Sequence, residues 1–160
     1  MMGWRMFQKM SRFQAHYNLP DIASVAVLAQ KIAPHLKRGD VLQLEGDLGV
    51  GKTTFTRALI AALAGKEIEV PSPTFTLVQQ YEFPAFTLYH FDLYRLKNSG
   101  ELLEIGLEQA LSEGVTVLEW PQLATDFLPA DSLVLKLSFS SGEGRQAELH
   151  APAAWAPLLS

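Results

Sequence analysis

The hydrophobic positions of this chain change period several times, and each change marks an element. Ile22, Val25, Ala29, Ile32 and Ala33 recur at helical spacing behind Pro20-Asp21, which predicts an amphipathic helix with Asp21 as its N-cap. Val41-Leu42-Gln43-Leu44-Glu45 is a short apolar run and predicts a strand. Residues 55–64 return to helical composition until Gly65 stops them. Ile68-Glu69-Val70 then leads into Pro71-Ser72-Pro73-Thr74, where two prolines impose an extended connection. Residues 74–83 and 86–92 are rich in β-branched and aromatic side chains, with a turn at Phe83-Pro84-Ala85-Phe86. They predict an antiparallel hairpin whose second strand ends on Asp92. Residues 101–105 and 107–111 read as short helical pieces broken by Gly106. Val115-Thr116-Val117-Leu118 is apolar and β-rich throughout, as a buried parallel strand is, and Glu119-Trp120-Pro121 follows its end. The tail offers two more strands, 132–140 and 145–150, around Ser140-Ser141-Gly142-Glu143-Gly144.

Between the first predicted strand and the second helix lies Gly46-Asp47-Leu48-Gly49-Val50-Gly51-Lys52-Thr53-Thr54. It fits G-x-x-x-x-G-K-[ST], the Walker A phosphate-binding loop. By residue frequencies alone the pattern arises in roughly 0.5% of chains of this length. A strand before it and a helix after it make accident rarer still. Its glycines let the backbone bring N–H groups together on phosphate oxygens, aided by the positive end of the following helix. Asp47, Leu48, Gly49, Val50, Gly51, Lys52, Thr53 and Thr54 are therefore the expected nucleotide-binding residues. Lys52 faces the β- and γ-phosphates, and the Thr53 hydroxyl is the expected magnesium ligand. The whole pattern predicts an α/β fold: a compact, three-layer P-loop nucleotide hydrolase-like sandwich with a mixed sheet and an inserted antiparallel hairpin.

A Walker A loop works with an acid at the end of a neighbouring strand. Asp92 and Glu119 both hold such positions. Glu119, behind the more continuously apolar strand, is assigned to magnesium. Asp92 is assigned to orienting water, to general base work or to the metal shell; a surface cap or salt bridge is the plainer alternative for either acid. Lys52, Asp92 and Glu119 are the candidate catalytic set. Thr74 occupies the place of a threonine that senses a γ-phosphate, or simply starts a strand after proline. Arg95 could neutralise phosphate or meet a partner, and Trp120 is a core or interface residue beside Glu119. No Asn-Lys-x-Asp base-reading motif exists, so ATP is favoured over GTP by elimination.

Composition narrows the class. The chain has 160 residues, 48% hydrophobic and 19% charged, which suits one globular domain. Residues 1–18 read as a dispensable or flexible extension, and 19–160 as a single ATPase domain. Cysteine is absent, and four scattered histidines show no metal-ligand spacing. No apolar run is long enough to cross a bilayer, and the first twenty residues lack the continuous apolar core of a signal peptide. With 13 Lys+Arg against 17 Asp+Glu the net charge is −4, and no basic run occurs. Strong independent binding to nucleic acid is disfavoured.

Four blocks taken together resemble a known family. They are the 46–54 loop, Ser72-Pro73-Thr74-Phe75-Thr76-Leu77-Val78, His90-Phe91-Asp92-Leu93-Tyr94-Arg95-Leu96, and Glu119-Trp120-Pro121. In order and spacing they are similar to the bacterial tRNA threonylcarbamoyladenosine biosynthesis ATPase family, TsaE. The resemblance implies a cytoplasmic, magnesium-dependent ATPase, slow alone and stimulated by two partners, TsaB and TsaD. Those partners transfer threonylcarbamoyl to the adenosine beside the anticodon of tRNAs reading ANN codons; tRNA is then met only through the complex. It also implies Lys52 for phosphates, Thr53 and Glu119 for magnesium, Asp92 and Trp120 as functionally required, and nucleotide contacts near Pro20-Asp21 and the late loop Ser140–Arg145, with Ser141 as its candidate. A small-molecule P-loop kinase and a nucleotide-gated adapter without required hydrolysis share the loop and stand as alternatives.

Overall fold

Strands that are apolar on both faces sit in the middle of a sheet, and strands that alternate sit at its edges. The computed structural model describes residues 12–71 and 77–159 and follows that rule. Its elements are β1 (Arg12–Leu19), α1 (Ile22–Ile32), β2 (Val41–Glu45), α2 (Lys52–Ala64), β3 (Val78–Glu82) and β4 (Thr87–Asp92). There follow α3 (Gly100–Glu104), α4 (Leu107–Glu113), β5 (Val115–Glu119), β6 (Leu133–Phe139), β7 (Arg145–Pro152) and α5 (Ala156–Leu159). They form one seven-stranded sheet in the order β1-β7-β6-β2-β5-β4-β3. The central pairs β6–β2, β2–β5 and β5–β4 are parallel, and β5 is buried along its whole length. The outer pairs β1–β7, β7–β6 and β4–β3 are antiparallel.

The pleat sorts side chains into two cores. Leu42, Leu44, Leu88, Val115, Val117 and Leu135 pack with Leu28 and Ile32 of α1 and Phe55, Leu59 and Ile60 of α2. Across the sheet, Val41, Tyr89, Phe91 and Leu118 pack with Leu102, Leu107 and Ala110 of α3 and α4. Three layers result. Helix α1 begins where a capping box forces it to: the Asp21 carboxylate accepts from the Ser24 amide at 2.9 Å, and Ser24 Oγ accepts from the Asp21 amide at 3.2 Å. No helix among the described residues is long and apolar enough to cross a membrane.

One sequence expectation changes. Residues 12–18, expected within an N-terminal extension, belong to β1, which pairs with β7 from Arg12↔Pro152 to Leu19↔Arg145. Phe13 and Tyr17 pack on the core while Gln14, His16 and Asn18 face water, so the strand contributes apolar burial as well as a covered sheet edge. The expected antiparallel hairpin is present within the mixed sheet: β3 pairs with β4, and β4 is the parallel neighbour of β5. Thr74 lies outside the described residues, as do the first eleven.

Candidate functional site

Strand β2 delivers the chain to Gly46, and the loop turns directly into α2 at Lys52. Gly46 has φ +146, and a Cβ there would lie 2.6 Å from the Leu137 carbonyl oxygen and 2.7 Å from Val50 Cγ1. The loop is thus seated against β6 by a contact that only glycine allows. Lys52 is buried, and its Nζ donates to the carbonyls of Gly46 at 2.5 Å and Asp47 at 3.1 Å. The same ammonium sits 3.9 Å from the centroid of the Trp120 ring. Burial lowers the Lys52 pKa from its usual value, while Glu119, Asp92 and Asp47 pull the other way.

The two acids arrive by strand parity. His90 and Asp92 on β4 and Val117 and Glu119 on β5 share the sheet face that α2 covers, because side chains two apart point the same way. Asp92 and Glu119 are register partners at the ends of adjacent parallel strands. Both are buried, and the Glu119 carboxylate accepts from Thr53 Oγ1 at 2.8 and 3.0 Å. Asp92 Oδ1 accepts from the Tyr94 amide at 3.1 Å, which fixes the turn after β4. Behind Glu119, His90 is fully buried with Nε2 2.5 Å from Glu119 Oε2. Trp120 itself takes the left-handed conformation, φ 58, which is strained for a bulky residue, and its ring packs on Tyr94 with centroids 4.8 Å apart.

Two adjoining cavities open on the loop. One, of about 290 Å³, is lined by Leu48, Lys52, Thr53, Asp92, Glu119 and Trp120. The other, of about 270 Å³, is lined by Leu19, Pro20, Asp21, Val25, Glu143 and Arg145. Gly49, Gly51 and Thr54 line both, so the two cavities adjoin along the loop as a two-part site. Its polar half suits phosphates, and its half walled by Leu19, Pro20 and Val25 suits a nucleoside.

Of the expected residues, Lys52, Thr53, Asp92, Glu119 and Trp120 converge on the first cavity, and Pro20 and Asp21 on the second. Asp47 and Leu48 are exposed at the loop's tip, and Val50 is buried beneath it. Ser141 does not line the site; it stands exposed at the tip of the β6–β7 turn, and Glu143 and Arg145 of that turn line the cavity instead. Arg145 is anchored there by donating Nε to the Val50 carbonyl at 3.0 Å and by stacking on Phe139, 4.5 Å from its centroid. Arg95 is exposed on the turn after β4, outside both cavities.

A Thr hydroxyl against a carboxylate is a hard-oxygen pair of the kind magnesium takes. Among the described residues no group of three or more His, Cys, Asp or Glu could hold a metal. A magnesium ion at Thr53 and Glu119 therefore needs phosphate and water for its remaining ligands, as magnesium in nucleotide sites does. His90 was missed from sequence because it was weighed as one of four scattered histidines. Its place two residues before Asp92, hence on the same strand face, was the available signal.

Comparison with known proteins agrees with this geometry. Residues 19–147 match the family model of the threonylcarbamoyl adenosine biosynthesis protein TsaE. The tRNA threonylcarbamoyladenosine biosynthesis protein TsaE of Rickettsia bellii is 43% identical over 117 residues, covering 73% of this chain and 81% of its own. The corresponding Bacillus subtilis protein is 38% identical over 120 residues, covering 74% of each. Among solved structures, the crystal structure of Bacillus subtilis YdiB superposes with a TM-score of 0.73 at 29% identity, covering 92% of both chains.

Proposed function

This chain belongs to the TsaE family of tRNA threonylcarbamoyladenosine biosynthesis proteins, and from that premise we propose that it is the pathway's magnesium-dependent, ATP-hydrolysing subunit. The observation that carries the reading is the Thr53 hydroxyl held 2.8 and 3.0 Å from the two oxygens of Glu119, with the Lys52 ammonium in the same cavity. In this proposal the triphosphate lies along the loop from Gly49 to Thr54, and the nucleoside lies between Pro20-Asp21 and Glu143–Arg145. Lys52 leaves the Gly46 and Asp47 carbonyls for the β- and γ-phosphate oxygens. Thr53 and Glu119 would hold magnesium, which would supply positive charge to offset that developing on those oxygens. Asp92, beside Glu119, orients a water for attack on the γ-phosphorus; the bond to the bridging oxygen breaks, giving ADP and phosphate. Trp120 walls the cavity over Lys52 and excludes bulk water, which strengthens every charge interaction inside.

Positioning and electrostatics supply the catalysis, without a covalent intermediate. Arg145 is committed to the nucleoside side, and no arginine of the described residues lines the cavity of Lys52, Thr53 and Glu119. Intrinsic turnover is accordingly slow, and stimulation comes from partners. We assign those partners as homologues of TsaB and TsaD, acting in the cytoplasm, with tRNA met only through them. A net charge of −4 without a basic stripe supports that indirect role.

Phosphate release by the purified protein, alone and with TsaB and TsaD homologues, tests this. Slow release that rises with the partners and disappears in Lys52→Ala and Glu119→Ala is expected. Phosphate appearing on a metabolite would instead make the protein a kinase. Sustained tRNA modification by a Glu119→Ala protein that binds but does not hydrolyse ATP would make it a nucleotide-gated adapter.

A further inference from the structure

We propose that His90 is a positioning residue, holding the Glu119 carboxylate in the orientation from which it serves the cation of the bound nucleotide. The proposal rests on the reading of Glu119 given above. His90 has 0% exposure in the middle of β4, and its Nε2 lies 2.5 Å from Glu119 Oε2. Its other ring nitrogen, Nδ1, is buried with no hydrogen-bond partner. That asymmetry assigns the ring. A buried N–H without an acceptor is rarer and costlier than a bare lone pair, so Nε2, the ring nitrogen that has a partner, is the one placed to donate. Nε2–H donates to Glu119.

The arrangement has a use beyond filling space. Thr53 and His90 both bond the Glu119 carboxylate. Once the Thr53 hydroxyl turns its oxygen to a cation, His90 remains to fix the carboxylate, whose terminal torsion is otherwise broad. The partner is placed by the fold: Asp92 and Glu119 are in register, so the residue two earlier on β4 reaches diagonally to the same carboxylate. Ligating carboxylates are commonly held by such outer contacts, whose loss lowers metal affinity or activity by about 10–100-fold.

The test separates metal-dependent from metal-free binding. Calorimetry with a non-hydrolysable ATP analogue is run with magnesium and with chelator on wild type, His90→Phe and His90→Gln. His90→Phe keeps volume but loses the donor; it should reduce the magnesium-dependent gain in affinity by about 10-fold or more while metal-free binding stays put. His90→Gln, which returns an N–H near the Nε2 position, should recover most of the gain. An undiminished gain in His90→Phe, or equal loss with and without magnesium, overturns the proposal while leaving the functional reading intact. A wild type that shows no magnesium-dependent gain overturns both. Should His90→Phe not fold, a two-bond ¹H–¹⁵N correlation spectrum of wild-type apoprotein decides. A proton on Nε2 whose signal shifts in Glu119→Gln is required, and a ring protonated on Nδ1 alone refutes it.

Discussion

Gly46 and Gly49 lie in the same loop but are glycine for different reasons, and alanine substitution should separate them. Gly49 has φ +80, and a Cβ built there meets nothing within 4 Å. Gly49→Ala carries only the left-handed backbone cost, about 1–2 kcal/mol. Gly46 carries a backbone cost of the same order plus a collision, since its Cβ would lie 2.6 Å from the Leu137 carbonyl oxygen and 2.7 Å from Val50 Cγ1. Leu137 is a β6 backbone position and Val50 is 1% exposed, so neither neighbour yields cheaply. Overpacking of that kind adds about 1–3 kcal/mol. Gly46→Ala should therefore be less stable than Gly49→Ala by about 2 kcal/mol, which for a domain of this size is a further drop in Tm of about 4–8 °C. Urea unfolding followed by circular dichroism, with equal slopes in both variants, reads the difference. If the two variants unfold at the same denaturant concentration, the loop is not wedged against β6 and the close approach at Gly46 is wrong.

Further outcomes follow from the same site. Burial lowers the Lys52 pKa below 10.5, so the cost of the buried ammonium is carried in full below the folded pKa and relieved as pH rises from there to the unfolded value. The stability of wild type relative to Lys52→Met should accordingly rise as the pH is raised toward the usual lysine value of about 10; urea midpoints that move the opposite way refute the burial-dominated shift. Asp21→Ala removes the carboxylate of the capping box and should cost about 1 kcal/mol in chemical denaturation. An unchanged midpoint would show that Ser24 alone suffices to start α1.

The sequence made the site's local parts legible and left its long-range contacts hidden. The loop between β2 and α2 is contiguous, and its chemistry is carried by residue types at fixed offsets, so residues 46–54 could be read directly. Strand β5 was legible because burial on both faces leaves an unbroken apolar run, and the acids at two strand ends followed from it. β1 was harder. Its Phe13, Ala15, Tyr17 and Leu19 alternate as an edge strand should, but its partner β7 is more distant in sequence than any local pattern can reach. The His90–Glu119 bond required the register of β4 on β5, which is set by packing in both cores and not by either strand alone. Within the expected stretch Ser140–Arg145 it is Glu143 and Arg145, not Ser141, that the β6–β7 turn presents to the cavity, a matter of turn geometry that composition does not encode.

The pairing of Leu19 with Arg145 also has a meaning in the order of synthesis. The phosphate side of the site needs strands β2, β4 and β5 and is complete in sequence by residue 120, whereas the nucleoside wall joins one of the first strands to emerge to the last. A chain released from the ribosome before β7 would own a phosphate loop but no matching wall behind it. The first cavity is lined only by residues 48–120, whereas the second is closed only where the two ends of the domain, Leu19 and Arg145, meet.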